Sequence, residues 1–129
     1  MAAITLDERL ARARAGLERL DPPAAAAASR TGAVLIDLRA ESQIARDGTI
    51  PGAVVIGRNV LEWRLAPDSD RRHPQAPSVE QQVILVCDAG YASSLAAASL
   101  QELGFSHATD LDGGFQAWRR AGLPVTPGR

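Results

Sequence analysis

The chain reads as an α/β domain with a mainly parallel sheet covered by helices, and three observations predict it. Short apolar runs rich in branched residues, Ala33-Val34-Leu35-Ile36-Asp37, Ala53 to Ile56 and Gln82 to Val86, have the character of strands buried on both faces. Helical patterns alternate with these runs, the order that builds parallel crossovers. A length of 129 residues with 46% hydrophobic content suffices for one compact core and is too short for two.

The elements follow in order. From Leu6 to Leu20 the apolar positions Leu6, Leu10, Ala13, Leu17 and Leu20 recur at steps of three and four, the stripe of an amphipathic helix. Asp21-Pro22-Pro23 stops it and opens a second helix, because Asp can cap, proline suits a first turn, and Ala24 to Ala28 is a strong helix former. Thr31-Gly32 ends that helix before the first strand. A short helix is expected around Ala40 to Arg46, a strand over Ala53 to Ile56, and another helix from Asn59 to Leu65. Ala66 to Ser78 has three prolines, mixed charge and no period, and reads as a loop. The strand Gln82 to Val86 leads into a helix from Ala92 to Leu103 closed by Gly104, and Ala108 to Leu111 is a weaker strand before Gly113-Gly114. Phe115 and Trp118, a helical step apart, are expected in the core.

Composition narrows the function. A net charge of -1 and a pI near 6.1 lack the basic footprint that phosphate backbones require, so no nucleic acid is expected. No run of roughly 18 apolar residues suggests a membrane span, and the first residues lack a signal-peptide layout, so a cytoplasmic protein is expected. All 14 basic residues are arginine, a coding bias. One cysteine, Cys87, cannot form an internal disulfide. His73 and His107 offer no metal-ligand spacing with it, and neither metal nor cofactor is expected.

Cys87 directly follows the most apolar strand, and Asp88-Ala89-Gly90-Tyr91-Ala92-Ser93 lead into the next helix. In a parallel sheet that strand end is where sites form. Amide N–H groups at a helix start are unpaired and can cradle an anion such as a thiolate or persulfide. Gly90 permits a turn that a larger residue resists. The bland reading is a small apolar residue filling a strand end; the ordered strand, cysteine, small-residue loop and helix favour the reactive one.

Several motifs resemble the rhodanese-like family, over roughly Leu20 to Val125. Asp37-Leu38-Arg39 is similar to its Asp-x-Arg, and Ile50-Pro51-Gly52-Ala53 to its Ile-Pro-Gly-Ala, with Thr49 where the family often has His. The six-residue loop from Cys87 to Ala92 has the sulfurtransferase length. Gly113-Gly114-Phe115-Gln116-Ala117-Trp118 and Gly122-Leu123-Pro124-Val125 are similar to its C-terminal signature. The resemblance implies a three-layer domain over residues 21–126 with a mainly parallel five-stranded sheet, preceded by an extra amphipathic helix over residues 1–20. That helix is expected to pack across its own domain, in a monomer, and to take no part in the cysteine chemistry.

The resemblance further implies a sulfurtransferase in which Cys87 takes sulfane sulfur from a small or protein donor as a persulfide. The sulfur then passes to a thiol, a cyanide-like acceptor or a protein. Asp88, Ala89, Gly90, Tyr91, Ala92 and Ser93 would form the substrate loop, Arg58 and Arg64 would reach its rim, and Asp37 and Arg39 would support it. The family's loop often carries cations where this one has Asp88 and Tyr91, an arrangement less suited to dianionic thiosulfate. A helix terminus favours an anion by up to about 2 kcal/mol, while Asp88 at about 5 Å opposes it by about 1 kcal/mol. A related phosphatase class needs Cys, five residues and then Arg, and Ser93 stands at that position. The remaining alternative is a non-catalytic binding or redox-sensing module.

Overall fold

The computed structural model describes residues 2–128. Four parallel strands, β1 (Val34–Asp37), β2 (Val54–Val55), β3 (Val83–Val86) and β4 (Ala108–Asp110), form one sheet in the order β2-β1-β3-β4. Six helices surround it: α1 (Leu6–Ala15), α2 (Pro22–Arg30), α3 (Glu41–Asp47), α4 (Leu61–Leu65), α5 (Ala92–Glu102) and α6 (Gly114–Arg120). A short 3-10 turn, Arg58–Val60, leads into α4.

The central strands are buried on both faces because their side chains alternate between two cores. Ile36, Val83 and Leu85 point to one side and pack with Leu61, Leu100 and Phe105 beneath α4 and α5. Leu35, Ile84 and Val86 point to the other and pack with Leu111, Phe115 and Trp118 beneath α2 and α6. The helix starts obey local rules. Thr5 and Glu8 form a reciprocal capping box on α1, and the Asp21 carboxylate accepts from Ala24 N at 2.9 Å ahead of the prolines that open α2.

Two expectations are corrected. The fifth strand is a single parallel bridge between Leu20 and Leu111, with Leu20 N donating to Asp110 O at 3.1 Å and Asp112 N to Leu20 O at 2.8 Å. It goes no further because Pro22 and Pro23 have no N–H to continue a ladder. The first helix ends at Ala15, not Leu20, and its stripe is only partly covered: Leu6 is 73% exposed, whereas Leu17 and Leu20 pack against the two cores. The body of α1 lies across α5.

Candidate active site

β3 ends at Val86 and delivers Cys87 to the carboxyl edge of the sheet, 7% exposed. The chain then curls back on the sulfur. Gly90 N donates to Cys87 Sγ at 3.2 Å and Ser93 N at 3.3 Å, while the thiol donates to Ser93 Oγ at 3.2 Å. Gly90 makes the curl possible: its φ is +89°, and a Cβ there would stand 2.8 Å from Gly113 N.

No side chain caps α5. Among the described residues, the N–H groups of Ala89, Tyr91 and Ala92 meet no protein acceptor. The same three residues line a cavity of about 250 Å³ over Cys87. Backbone donors at and just before the start of α5 are thus left without a protein partner in residues that line this space.

Cations close the cavity from the other side. Arg39 lies against it, nearly fully buried, with its guanidinium 3.7 Å from the Phe115 ring centroid. Its Nη2 donates to Asp37 Oδ2 at 2.8 Å and to Gly48 O at 2.7 Å, and its Nε to Asp37 Oδ1 at 3.1 Å. Nη1 has no partner among the described residues, and a buried N–H without one is costly. Thr49, in the place of the expected His, donates its hydroxyl to Asp37 Oδ2 at 3.3 Å and so belongs to this support. Arg58 also lines the cavity and pairs with Glu62 at 2.9 Å. Asp88 lines it as well, its Oδ1 accepting from Gln116 Nε2 at 2.9 Å.

The structure brings together Cys87, the loop from Asp88 to Ser93, Arg39 and Arg58, with Asp37 behind Arg39. Arg64 stands apart: its Nη1 donates to Arg71 O at 2.7 Å, and it does not line the cavity. Six positions along a helical segment separate it from Arg58, which sends the two side chains to different faces.

Beneath the loop lies a polar network that sequence reading missed. The buried carboxylate of Asp110 accepts from Ser93 Oγ at 2.7 Å, Ser94 Oγ at 2.8 Å and Arg19 Nε at 2.9 Å. Burial works against the Arg19 charge, but the Asp110 hydrogen bond and the charges of Asp110, Asp112 and Cys87 outweigh it and raise its pKa above the ordinary arginine value. Asp110 carried a usable signal, since it ends a strand on the same edge of the sheet where Cys87 follows another. Arg14 and Arg19 carried none.

The fold is a parallel sheet sandwiched by helices, with a lone cysteine held by backbone amides in a strand-to-helix loop. The rhodanese-like domain model matches residues 21–121, and the chain belongs to that family. The thiosulfate sulfurtransferase GlpE of Stutzerimonas stutzeri is 35% identical over 102 residues, covering 79% of this chain and 84% of that one. The GlpE of Pseudomonas fluorescens is 38% identical over 103 residues with the same coverage. Among solved structures, a Rhodopseudomonas palustris protein of unknown function, described as a possible tyrosine phosphatase, is 31% identical with a TM-score of 0.87, and the match covers 98% of this chain and 97% of that one. Within its family the chain is an enzyme of the sulfurtransferase class. No helix among the described residues is long and apolar enough to cross a membrane.

Proposed function

We propose that Cys87 carries sulfane sulfur as a persulfide between a small anionic donor of the thiosulfate type and a nucleophilic acceptor. The observation that carries this reading is the set of loop amides: those of Gly90 and Ser93 already hold Sγ, and those of Ala89, Tyr91 and Ala92, which line the cavity, meet no acceptor among the described residues. A group that must hold negative charge first on one sulfur and then on a second needs donors at both depths.

In the first half-reaction the Cys87 thiolate attacks the outer sulfur of thiosulfate, the donor's S–S bond breaks, and sulfite leaves with the bonding pair. Cys87 then bears a persulfide anion, and the total charge of three is conserved between the two sides. In the second half a thiolate or cyanide attacks the outer sulfur and the Cys87 thiolate leaves. No proton needs to move in either step. Arg39 and Arg58, the two cations in the cavity lining, are suited to the anionic end of the donor. At about 250 Å³ the cavity suits a small substrate rather than a drug-sized one. A phosphate ester fits less well, because Ser93 stands where a phosphatase loop needs an arginine.

The test is Cys87→Ser. Wild type incubated with thiosulfate should gain one sulfur in its intact mass and convert cyanide to thiocyanate. The variant should do neither while keeping its melting temperature within a few degrees. Transfer that survives in Cys87→Ser would rule out the persulfide route.

A further inference from the structure

We propose that Arg14 and Arg19 are positioning residues for sulfur held at Cys87, because together they fix the Gly90–Tyr91 peptide so that the Tyr91 N–H faces the cavity. The inference builds on the persulfide reading above. Both residues precede the region matched by the family model, which begins at residue 21.

The geometry is a clamp on one oxygen. Arg14 Nη2 and Arg19 Nη2 each donate to Gly90 O at 2.8 Å. The Gly90–Tyr91 peptide bond is trans, so the C=O of Gly90 and the N–H of Tyr91 point in opposite directions from one plane. Holding the oxygen toward Arg14 and Arg19 therefore aims the N–H to the opposite side of the peptide plane. That N–H meets no acceptor among the described residues, and Tyr91 lines the cavity. A glycine at φ +89° has no side chain to resist rotation of that plane, so a second device must fix it.

Each guanidinium is itself held. Arg14 Nε donates to Ser94 Oγ at 3.0 Å, and its guanidinium stands 5.6 Å from the Tyr91 ring centroid. Arg19 bonds Asp110 through Nε at 2.9 Å and Nη2 at 3.2 Å, and Asp112 through Nη1 at 3.1 Å. Two cations on one carbonyl oxygen repel each other, and the paired carboxylates offset that repulsion.

The clamp should act more on the persulfide than on the thiol. Gly90 N and Ser93 N already meet Sγ. The Tyr91 N–H is left for the outer sulfur, which carries the charge once transfer has occurred.

Arg14 is the residue to vary, because Arg19 also neutralises buried Asp110. In the full chain, Arg14→Ala should slow sulfur uptake from thiosulfate about tenfold, the worth of one charge-assisted hydrogen bond. The loss should fall on kcat rather than KM. Arg14→Gln keeps an N–H donor without charge and Arg14→Lys keeps both charge and donor, so each should recover most of the rate. Wild-type rates in Arg14→Ala would overturn the proposal. So would Arg14→Gln as slow as Arg14→Ala beside a normal Arg14→Lys, which would leave only the electrostatic field of a cation. The amide resonances of Gly90 and Tyr91 report the clamp without sulfur chemistry: they should shift in Arg14→Ala and stay near their wild-type positions in Arg14→Gln. A wild type that takes up no sulfur would remove the persulfide reading, while unmoved resonances in Arg14→Ala would remove the clamp.

Discussion

The hydroxyl of Ser93 lies 3.2 Å from the sulfur of Cys87 and donates a hydrogen bond to Asp110 Oδ2 at 2.7 Å. With the thiol protonated, Ser93 accepts from sulfur and donates to the carboxylate. With the thiol ionised, the same proton can turn to sulfur, because Ser94 and Arg19 continue to satisfy Asp110. Ser93→Ala should therefore slow persulfide formation by about tenfold and cost about 1–3 kcal/mol of stability, through the lost bond to a buried carboxylate. Single-turnover mass gain and thermal unfolding measure the two effects. A variant that is destabilised but reacts at the wild-type rate would confine Ser93 to a structural role.

Asp88 places a negative charge on the cavity wall while Gln116 holds its carboxylate. Asp88→Asn keeps an oxygen to accept from Gln116 and removes the charge. Relief of a repulsion of about 1 kcal/mol should lower the KM for thiosulfate by two- to fivefold with little change in kcat. The gain should be largest at low ionic strength and shrink as salt is added. A KM that is unchanged at low salt would show that Asp88 does not face the donor.

Glu62 engages Arg58 and also accepts from Ser99 Oγ at 2.6 Å. Its burial disfavours the charged form, but the Ser99 hydrogen bond and the Arg58 charge and hydrogen bond prevail and hold its pKa below the ordinary glutamate value. A depressed folded-state value contributes stability that is complete above the unfolded value and is lost as pH falls through the folded one. Glu62→Gln should flatten the acid limb of the stability profile. It should also free Arg58 for the donor and lower the KM for thiosulfate at neutral pH. An acid limb as steep as wild type would remove Glu62 from that transition.

The parts of the site that were legible are those that lie together in the chain. Cys87, its loop and the start of α5 are one continuous segment, and Asp37 and Arg39 are two residues apart, so local pattern sufficed. The central strands were legible because burial on both faces leaves no polar alternation. The fifth strand was not, since the prolines that mark the start of α2 also halt the ladder at Leu20. Arg64 was misplaced because a fraction of a helical turn decides which face a side chain takes. Arg14 and Arg19 were invisible for a different reason. Their partners lie 76 and 91 residues away, and a solvated arginine on an amphipathic helix has the same local sequence as a clamping one.

The long span between Arg19 and Asp110 has a temporal side. At ribosomal rates of about 5–20 residues per second, on the order of ten seconds separates the synthesis of the two partners. Throughout that interval the nascent chain holds Arg19 without its native partner Asp110. Asp110 holds Ser93, Ser94 and Arg19 from the end of β4, so the network beneath the Cys87 loop is complete only once that last strand has been made.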